Sequence, residues 1–364
     1  MRSSLKMVLL IVLANLLIGL PAWSESRRDV KFPDVLDYRT LKCDFHMHTV
    51  FSDGSVWPTV RVDEAWRDGL DAISITDHIE YHPHNADVPT NHNRPYELVT
   101  AKAKEKNILL IKGAEITRET PPGHFNAIFI TDIPALDTKD FNDAVRIAFE
   151  QGGFVFWNHP GWIPEAAGWR DIHTKLYENK WVRGIEVVNG DTYYQEAHQW
   201  CLEKNLTMLG NSDIHAPVTG YEIYEDPELT HRPVTLVFAK EKTAEALKEA
   251  LLDGRTAVWH KNQLIGREKY LDAIFKASVI VARPHHKQKD AVWLEIRNNL
   301  GMDIQMEKPG EKRAEKLTLP ANSTTLLRTK ADSKAEQVKL SYVVKNFLIA
   351  PDKGLPVELI VPLQ

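Results

Sequence analysis

The stretch that decides the fold is LKCDFHMH, residues 41–48, in which an apolar run ends in two histidines separated by one residue. The run predicts a short buried strand. Because successive side chains of a strand point to opposite faces, His46 and His48 would share one face, with Phe45 and Met47 on the other. Two imidazoles aimed in one direction can bind a metal ion, although an isolated HxH motif is weak evidence by itself.

Outward from this strand, short apolar runs alternate with amphipathic stretches, several of which are followed by glycine. This rhythm predicts an α/β domain with a largely parallel sheet. The predicted strands are 41–48, 71–76, 108–116, 124–130, 153–157, 184–188 and 207–210. The predicted helices are 59–68, 94–106, 139–150, 192–204 and 242–252.

Residues that can bind metals recur where the predicted strands end. They are His46 and His48, Asp77 and His78, Glu115, His159, and Asp213 and His215, and they follow five of the seven strands. In a β/α barrel the carboxyl ends of all strands meet at one mouth, so residues far apart in sequence converge there. Independent surface histidines would show no such phase with the strands. The pattern therefore predicts a metal site at the mouth of a barrel.

Two further candidate ligands fit the pattern less directly. His124 opens the fourth apolar run instead of following it, and with Asn126 it would face the barrel interior if that strand is regular. Asp53 lies in the turn 51–54, Phe-Ser-Asp-Gly, where aspartate is also common for turn geometry alone. Both are kept as candidate ligands, with turn formation as the alternative role for Asp53.

In this order the residues resemble the polymerase and histidinol phosphatase (PHP) family of metal-dependent phosphoesterases, over roughly residues 41–260. The resemblance implies a distorted (β/α)7 barrel. By analogy with trinuclear members, it also implies three metal positions: the first held by His46, His48, Glu115 and Asp213; the second by Glu115 as a bridge with His124 and His159; the third by Asp53, His78 and His215. The family often has histidine where this chain has Asp53, which leaves the occupancy and metal preference of one position open.

The ligand types agree with a multinuclear metal centre. Imidazoles and carboxylates without thiolates suit Zn, Mn or Fe, and we expect two to three divalent ions per chain. Three such ions exceed the charge of the three ligand carboxylates, and a hydroxide with a phosphate-ester dianion would balance the excess. The expected function is hydrolysis of phosphate monoesters or diesters, nucleotide-derived esters included, by a hydroxide bound to the metals.

Four other residues are candidates for supporting roles. Arg118 is the candidate phosphate clamp, because a guanidinium can bind two oxygens at once; the alternative is an ordinary surface arginine. Asp77 is expected to orient a neighbouring ligand as a hydrogen-bond acceptor. Asn158 and Asn211 are further candidates at the mouth.

Two features suggest how a substrate could be held. The loop 78–94 contains three further histidines and two prolines and is followed by Pro95, and we interpret it as a cover over the substrate, with a solvated loop as the alternative. Trp157, Trp162 and Trp169 flank His159 and could form a stacking platform for a nucleoside base. The alternative is that these tryptophans are core or loop anchors.

Two other function classes remain open. Amidohydrolases also begin with HxH on a β/α barrel, but they usually carry a bridging carbamylated lysine and a lone late aspartate, where this chain has Glu115 and Asp213-Ile214-His215. A metal-stabilised binding module without catalysis would be expected to have lost ligands, and no ligand is obviously missing from this sequence.

The amino-terminal segment predicts export. Arg2 and Lys6 precede an apolar run over 7–20, and small residues lead to Ser24, the pattern of a secretory signal peptide over residues 1–24. The run is shorter than the about 20 residues that span a membrane, which favours cleavage over the alternative of an uncleaved anchor. We expect no membrane attachment after cleavage. The expected location is the periplasm or outside the cell.

The chain has only two cysteines, Cys43 and Cys201. This number excludes a disulfide scaffold, and we expect no disulfide.

Composition sets the remaining limits. The 364 residues are 43% hydrophobic and 26% charged, which excludes a disordered or collagenous chain. The net charge of −5 and the absence of Lys/Arg runs argue against stable nucleic-acid binding and favour a small phosphorylated substrate.

The chain divides into two predicted domains. We assign the barrel to residues 35–262. Alternating patterns at 291–297, 324–328 and 338–344 predict a small all-β, sandwich-like domain over 267–364, whose role is open.

Overall fold

A computed structural model describes residues 26–218, 231–310, 315–331 and 335–363. The predicted signal peptide, residues 1–24, lies outside the described residues and stays a prediction. Within the described ranges, no helix is both long enough and apolar enough to cross a membrane. Cys43 and Cys201 are both buried as free thiols.

Seven strands form the barrel, and each falls on one of the seven predicted apolar runs. They are β1 Arg39–Asp44, β2 Ala72–Ile75, β3 Leu109–Ile116, β4 Phe125–Ile128, β5 Phe154–Trp157, β6 Gly184–Asn189 and β8 Thr207–Asn211, with the short β7 Thr192–Tyr193 paired to β6. The β2, β4, β5 and β8 strands are buried along their whole length. Strands covered on both faces read as continuous apolar runs, which explains why the sequence pattern located them.

The direction of β4 places His124 at the mouth. The pairs β1–β2, β2–β3, β5–β6 and β6–β8 are parallel, whereas β4 is antiparallel to both β3 and β5. The amino end of β4 therefore lies at the same edge as the carboxyl ends of its neighbours. His124, which is out of phase with the other candidates in sequence, reaches the same mouth because its strand is reversed.

The barrel closes where the first and last strands meet. The Asp213 amide donates to the His46 carbonyl at 2.8 Å, and the His48 amide donates to the Ile214 carbonyl at 3.0 Å. We predicted a first strand over 41–48, but β1 ends at Asp44, so the HxH motif lies just beyond the strand. An isolated bridge between Met47 and Ile214 keeps this segment extended. The closure thus holds His46, His48 and Asp213 next to one another.

Seven helices and three further strands complete this part of the chain as the structure describes it. The helices are α1 Pro58–Arg67, α2 Arg94–Glu105, α3 Phe141–Glu150, α4 Asp171–Glu178, α5 Gln195–Glu203, α6 Ala244–Leu252 and α7 Glu268–Ser278. The strands are β9 Val234–Ala239, β10 Thr256–His260 and β11 Gln263–Gly266. β9 pairs antiparallel with β1 and β10 with β9, an extension of the sheet that the β/α rhythm does not predict.

The carboxyl-terminal strands form two sheets. β12 Val279–Val281, β13 His286–Lys287 and β17 Ser323–Lys330 all pair with β14 Ala291–Asn298. The second sheet contains β15 Ile304–Glu307, β16 Lys316–Leu319, β18 Gln337–Ala350 and β19 Lys353–Pro362. The three strands predicted for this region are present as β14, β17 and β18.

The barrel and the carboxyl-terminal sheets share a hydrogen-bonded junction. β11 pairs parallel with β18, with Leu264 opposite Phe347. The helix α7, which lies at the start of the range predicted for the second domain, packs Leu271, Ile274 and Phe275 into the same apolar core. The two parts are therefore joined by a continuous sheet and a common core.

We expect His198, on α5, to make folding stability depend on pH. Its buried ring lies 2.7 Å from the Tyr193 hydroxyl, and burial, with Arg267 nearby, lowers the pKa of His198 to about 4. Its pKa in an unfolded chain is about 6.5, so the unfolded state binds the proton first as pH falls. This contribution to stability, up to about 3 kcal/mol, is full above pH 6.5 and is lost as pH falls towards 4.

Urea unfolding between pH 7 and pH 4.5 tests this expectation. His198→Gln keeps a hydrogen-bonding group for Tyr193 but does not titrate, so it should lose less stability than the wild type over this range. Equal losses in the two proteins would contradict the assignment.

Candidate metal centre

All nine predicted ligands lie together at the mouth of the barrel. Their donor atoms form four overlapping groups, with the atoms of each group within 4.8 Å of one another. The groups are His48, Asp53, His78 and His215; His46, His159 and Asp213; His46, His48 and Glu115; and Glu115, His124 and His159. The last group has the same members as the second metal position implied by the family resemblance.

The innermost atoms have the spacing of a metal ligand shell. His46 Nε2 lies 3.1 Å from His48 Nε2, 3.2 Å from Glu115 Oε2 and 3.0 Å from Asp213 Oδ1. His48 Nε2 lies 3.2 and 3.1 Å from the same two oxygens. Ligand atoms about 2.1 Å from one ion are about 3.0 to 3.4 Å apart in octahedral or tetrahedral shells. Each of these five donor pairs therefore has the spacing of two ligands that share one divalent ion.

Glu115 joins two of the groups. Its Oε2 faces His46 and His48, whereas its Oε1 lies 3.0 Å from His124 Nδ1 and 3.8 Å from His159 Nε2. The side chain is completely buried. One carboxylate thus presents a separate oxygen to each of two sets of imidazoles, which is the geometry of a bridging ligand.

Asp53 lies among three imidazoles on the other side of His48. Its Oδ1 is 3.2 Å from His215 Nε2, 3.5 Å from His78 Nε2 and 3.6 Å from His48 Nδ1. This oxygen is buried and makes no hydrogen bond of good geometry. A buried carboxylate oxygen without such a bond is costly unless a cation satisfies it, so Asp53 fits a ligand role better than a purely turn-forming one.

The charges in the cluster favour ionised carboxylates. Burial alone would raise the pKa of Glu115 and Asp213, but the surrounding histidines hold both well below the usual range. Burial would lower the pKa of His48, but its hydrogen bonds to Asp213 and Glu115 outweigh this and raise the pKa to about 9. The carboxylates therefore require nearby positive charge, which protons on the histidines or divalent cations can supply.

Asp77 is connected to His48 through a serine. Its carboxylate accepts from the Thr49 amide and hydroxyl, both at 2.6 Å, and from Ser52 Oγ at 2.7 Å. Ser52 Oγ in turn lies 3.3 Å from His48 Nδ1. The turn is tight enough that a Cβ on Gly54 would come within 2.6 Å of the His48 backbone. This placement agrees with the orienting role expected for Asp77.

Glu186, on β6, is a buried carboxylate that the sequence analysis missed. Its Oε1 lies 2.8 Å from His46 Nδ1, and its Oε2 accepts from the His159 amide at 2.9 Å and from Asn189 Nδ2 at 2.8 Å. Such a contact fixes the ring of His46 with Nε2 turned toward the cluster. The available signal was an acidic residue inside the apolar run 184–188.

The two candidate asparagines hold carboxylates in place. Asn158 Nδ2 donates to Glu115 Oε1 at 3.1 Å. Asn211 Nδ2 donates to Glu186 Oε1 at 3.0 Å, while its Oδ1 accepts from the Phe45 amide at 2.9 Å. Both amides therefore position acidic residues of the cluster from inside the barrel.

The structure does not bring Arg118 to the cluster. Its guanidinium pairs with Glu80 and donates to the carbonyls of Thr117 and Thr138 at 2.7 and 2.8 Å. Arg118 is also not among the described residues that line the cavity over the cluster. Because Glu80 neutralises it and two carbonyls use its donors, the geometry favours a structural role over the phosphate clamp that we predicted.

Two candidate ligands have backbones in the left-handed region. The φ angles are 27° at His159 and 52° at Asp213. Such angles are unfavourable for residues other than glycine and persist where surrounding contacts enforce them. Here the His159 amide is held by Glu186, and the Asp213 amide is held by the His46 carbonyl.

A cavity of about 300 Å³ opens above the cluster. Seven of the candidate ligands line it, together with Tyr81, Thr117 and Trp162. Of the three tryptophans near His159, only Trp162 reaches this cavity. Trp157 is buried with its ring 3.8 Å from that of His173, and Trp169 packs against Trp157. The stacking platform of three tryptophans that we considered is therefore not formed.

One solved structure matches almost the whole chain. It comes from Bacteroides vulgatus and is described as a two-domain protein containing a predicted PHP-like metal-dependent phosphoesterase. The two chains are 45% identical, the match covers 93% of this chain and 100% of the other, and the TM-score is 0.88. This chain belongs to the PHP-like metal-dependent phosphoesterases. The predicted fold of this PHP-like protein, a distorted (β/α)7 barrel followed by a small all-β domain, is confirmed.

Other comparisons match parts of the chain. Residues 279–360 match the family DUF5001, an Ig-like domain. An amidohydrolase from Chromobacterium violaceum is 17% identical over 48% of this chain and 88% of its own, with a TM-score of 0.37. A protein from Bifidobacterium adolescentis, described as a metal-dependent phosphoesterase, is 16% identical over 58% of this chain and 96% of its own, with a TM-score of 0.39. No curated protein matches the PHP-like chain.

Proposed function

We propose that this PHP-like protein hydrolyses phosphate monoesters or diesters, nucleotide-derived esters included, with two to three divalent Zn, Mn or Fe ions at the barrel mouth. The observation that carries the proposal is the buried Glu115, whose two oxygens face two separate groups of imidazoles. A shared carboxylate of this kind supports a centre with more than one metal, which is typical of phosphoester hydrolysis.

The residues of the chain would have different roles at this centre. Bound ions would supply an acidified water and positive charge for the phosphoryl oxygens. His46, His48 and Asp213 would form the inner ligand set with Glu115, while His124 and His159 would use its second oxygen. Asp53, His78 and His215 would form the outermost set. The asparagines and Glu186 keep these side chains from rotating, so the site is organised before substrate binds.

A C–N hydrolase of the amidohydrolase type is the second candidate. Its characteristic bridging group is a carbamylated lysine, and the corresponding position here is occupied by Glu115. The late motif also supplies both Asp213 and His215, each within a metal-capable group. These observations favour the phosphoesterase.

Hydrolysis of chromogenic esters tests the proposal. The chain without residues 1–24 is stripped with a chelator, reloaded with Mn²⁺, Zn²⁺ or Fe²⁺, and assayed with 4-nitrophenyl phosphate and bis(4-nitrophenyl) phosphate. We expect turnover that depends on the metal and is absent in the His46→Ala/His48→Ala variant. No turnover of either ester by a protein with measured bound metal would argue against a general phosphoesterase.

A further inference from the structure

We propose that the cavity over the metal centre selects phosphate monoesters whose leaving group carries a planar aromatic ring, held by Trp162 and Tyr81. This inference rests on the proposed function and names its substrate class. It uses four observations: the exposure of the two rings, their positions beside the candidate ligands, the charges that line the cavity, and the volume of the cavity.

Both rings are large and unusually exposed. Trp162 is 62% exposed and Tyr81 is 52% exposed, and no other large exposed hydrophobic residue in the described part of the chain lines this cavity. Exposed aromatic surface grouped at a concave site is typical of a binding surface, because a ligand that covers it removes apolar area from water. Among the described residues of the lining, Thr117 is the only other one that is not a candidate ligand.

The rings stand beside two different groups of ligands. The Trp162 ring centre lies 5.7 Å from that of His124 and 5.6 Å from that of His159. The Tyr81 ring centre lies 6.1 Å from that of His78. A phosphoryl group held at the centre would therefore leave its ester substituent within reach of aromatic faces, where a planar ring gains stacking contacts that an aliphatic group does not.

The charges favour a small substrate over a polynucleotide. No lysine or arginine is found among the described residues that line the cavity, and Arg118 is paired with Glu80. The sequence of residues 219–230, which the structure does not describe, also contains no lysine or arginine. Proteins that bind single strands combine stacking with a positively charged groove along the backbone. Stacking without that groove suits a single phosphate, whose charge bound metals would balance.

The size of the cavity leads to the same conclusion. At about 300 Å³ it is at the lower end of the range for small-molecule pockets. That volume suits a phosphate with one ring system. Trp162 and Tyr81 would thus determine specificity without touching the reacting phosphorus.

Two esters of matched size, one with a planar ring and one without, test the inference. Benzyl phosphate and cyclohexylmethyl phosphate have the same carbon count and similar leaving alcohols, but only the first carries a planar ring. We expect the wild type to show a kcat/KM about 10-fold higher for the benzyl ester, from the stacking contacts. Trp162→Leu should lower kcat/KM for benzyl phosphate by about 10-fold and change that for cyclohexylmethyl phosphate by less than about twofold, whereas Trp162→Phe should retain most of the preference.

Controls separate this inference from the proposed function. Trp57→Leu removes a tryptophan of similar exposure, 53%, that does not line the cavity, and it should leave the preference unchanged. On the wild type, phenylphosphonate should inhibit more strongly than cyclohexylphosphonate, a comparison that needs no variant to fold. Equal use of the two esters, equal inhibition by the two phosphonates, or an equal loss on both esters in Trp162→Leu would overturn the inference while leaving the phosphoesterase intact. Failure to hydrolyse any ester with metal bound would overturn the proposed function, and the inference with it.

Discussion

Glu115→Gln is expected to lower kcat/KM for phosphate esters by at least about 1,000-fold and to reduce the bound metal per chain. The amide keeps the shape of the side chain but loses its negative charge and one of its two acceptor oxygens. Both oxygens are in use in this structure, because Oε2 faces His46 and His48 while Oε1 faces His124 and His159. The change therefore affects two groups of ligands at once.

Steady-state kinetics and metal analysis on the same preparation check this expectation. Glu97→Gln, on the exposed side of α2, makes the same chemical change away from the centre and should retain full activity and metal content. Excess metal should not restore Glu115→Gln, because a shared ligand is missing and not merely misoriented. A variant with wild-type metal content and activity would show that Glu115 is not a bridging ligand.

Glu186→Gln is expected to weaken metal affinity by about 10- to 100-fold while leaving activity largely recoverable at high metal concentration. Glu186 lies 2.8 Å from His46 Nδ1 and also holds the amide of His159, whose backbone lies in the left-handed region. The substitution removes the charge that favours one ring orientation of His46, but no candidate donor atom of the four groups is lost.

Competition with a chelator of known affinity measures the predicted shift, and activity is then followed as metal is added back. The contrast with Glu115→Gln is the decisive feature, since only the Glu186 variant should regain activity. A Glu186→Gln variant that binds metal as tightly as the wild type would contradict the positioning role. One that never recovers activity would indicate that Glu186 acts directly at the centre.

Much of the fold and of the candidate site could be predicted from local pattern. The seven barrel strands are short apolar runs, and burial on both faces leaves that signal in each run separately. The candidate ligands follow these runs because the carboxyl ends of parallel strands share one edge. The positions of His78, Glu115, His159, Asp213 and His215 therefore needed no knowledge of which strands are neighbours.

Other residues could not be assigned without knowledge of their partners. Arg118 and Glu80 are separated by the helix α2 and the strand β3, and only the folded chain shows that they neutralise each other. Trp157 and Trp162 are five residues apart, yet one packs on His173 in the core and the other stands at the cavity. The sequence alone does not show which of the three tryptophans is buried, because burial depends on what the rest of the chain places against each ring.

What the sequence by itself determined is the seven barrel strands, the family and the nine candidate ligands. What only the tertiary structure decided is the reversal of β4 that carries His124 to that mouth, the contact of Glu186 with His46, and the pairing of β11 with β18. Apolar periodicity is a property of each segment, whereas strand direction and hydrogen-bond partners depend on segments distant in sequence. The structure was therefore needed to show which residues hold the candidate ligands in place.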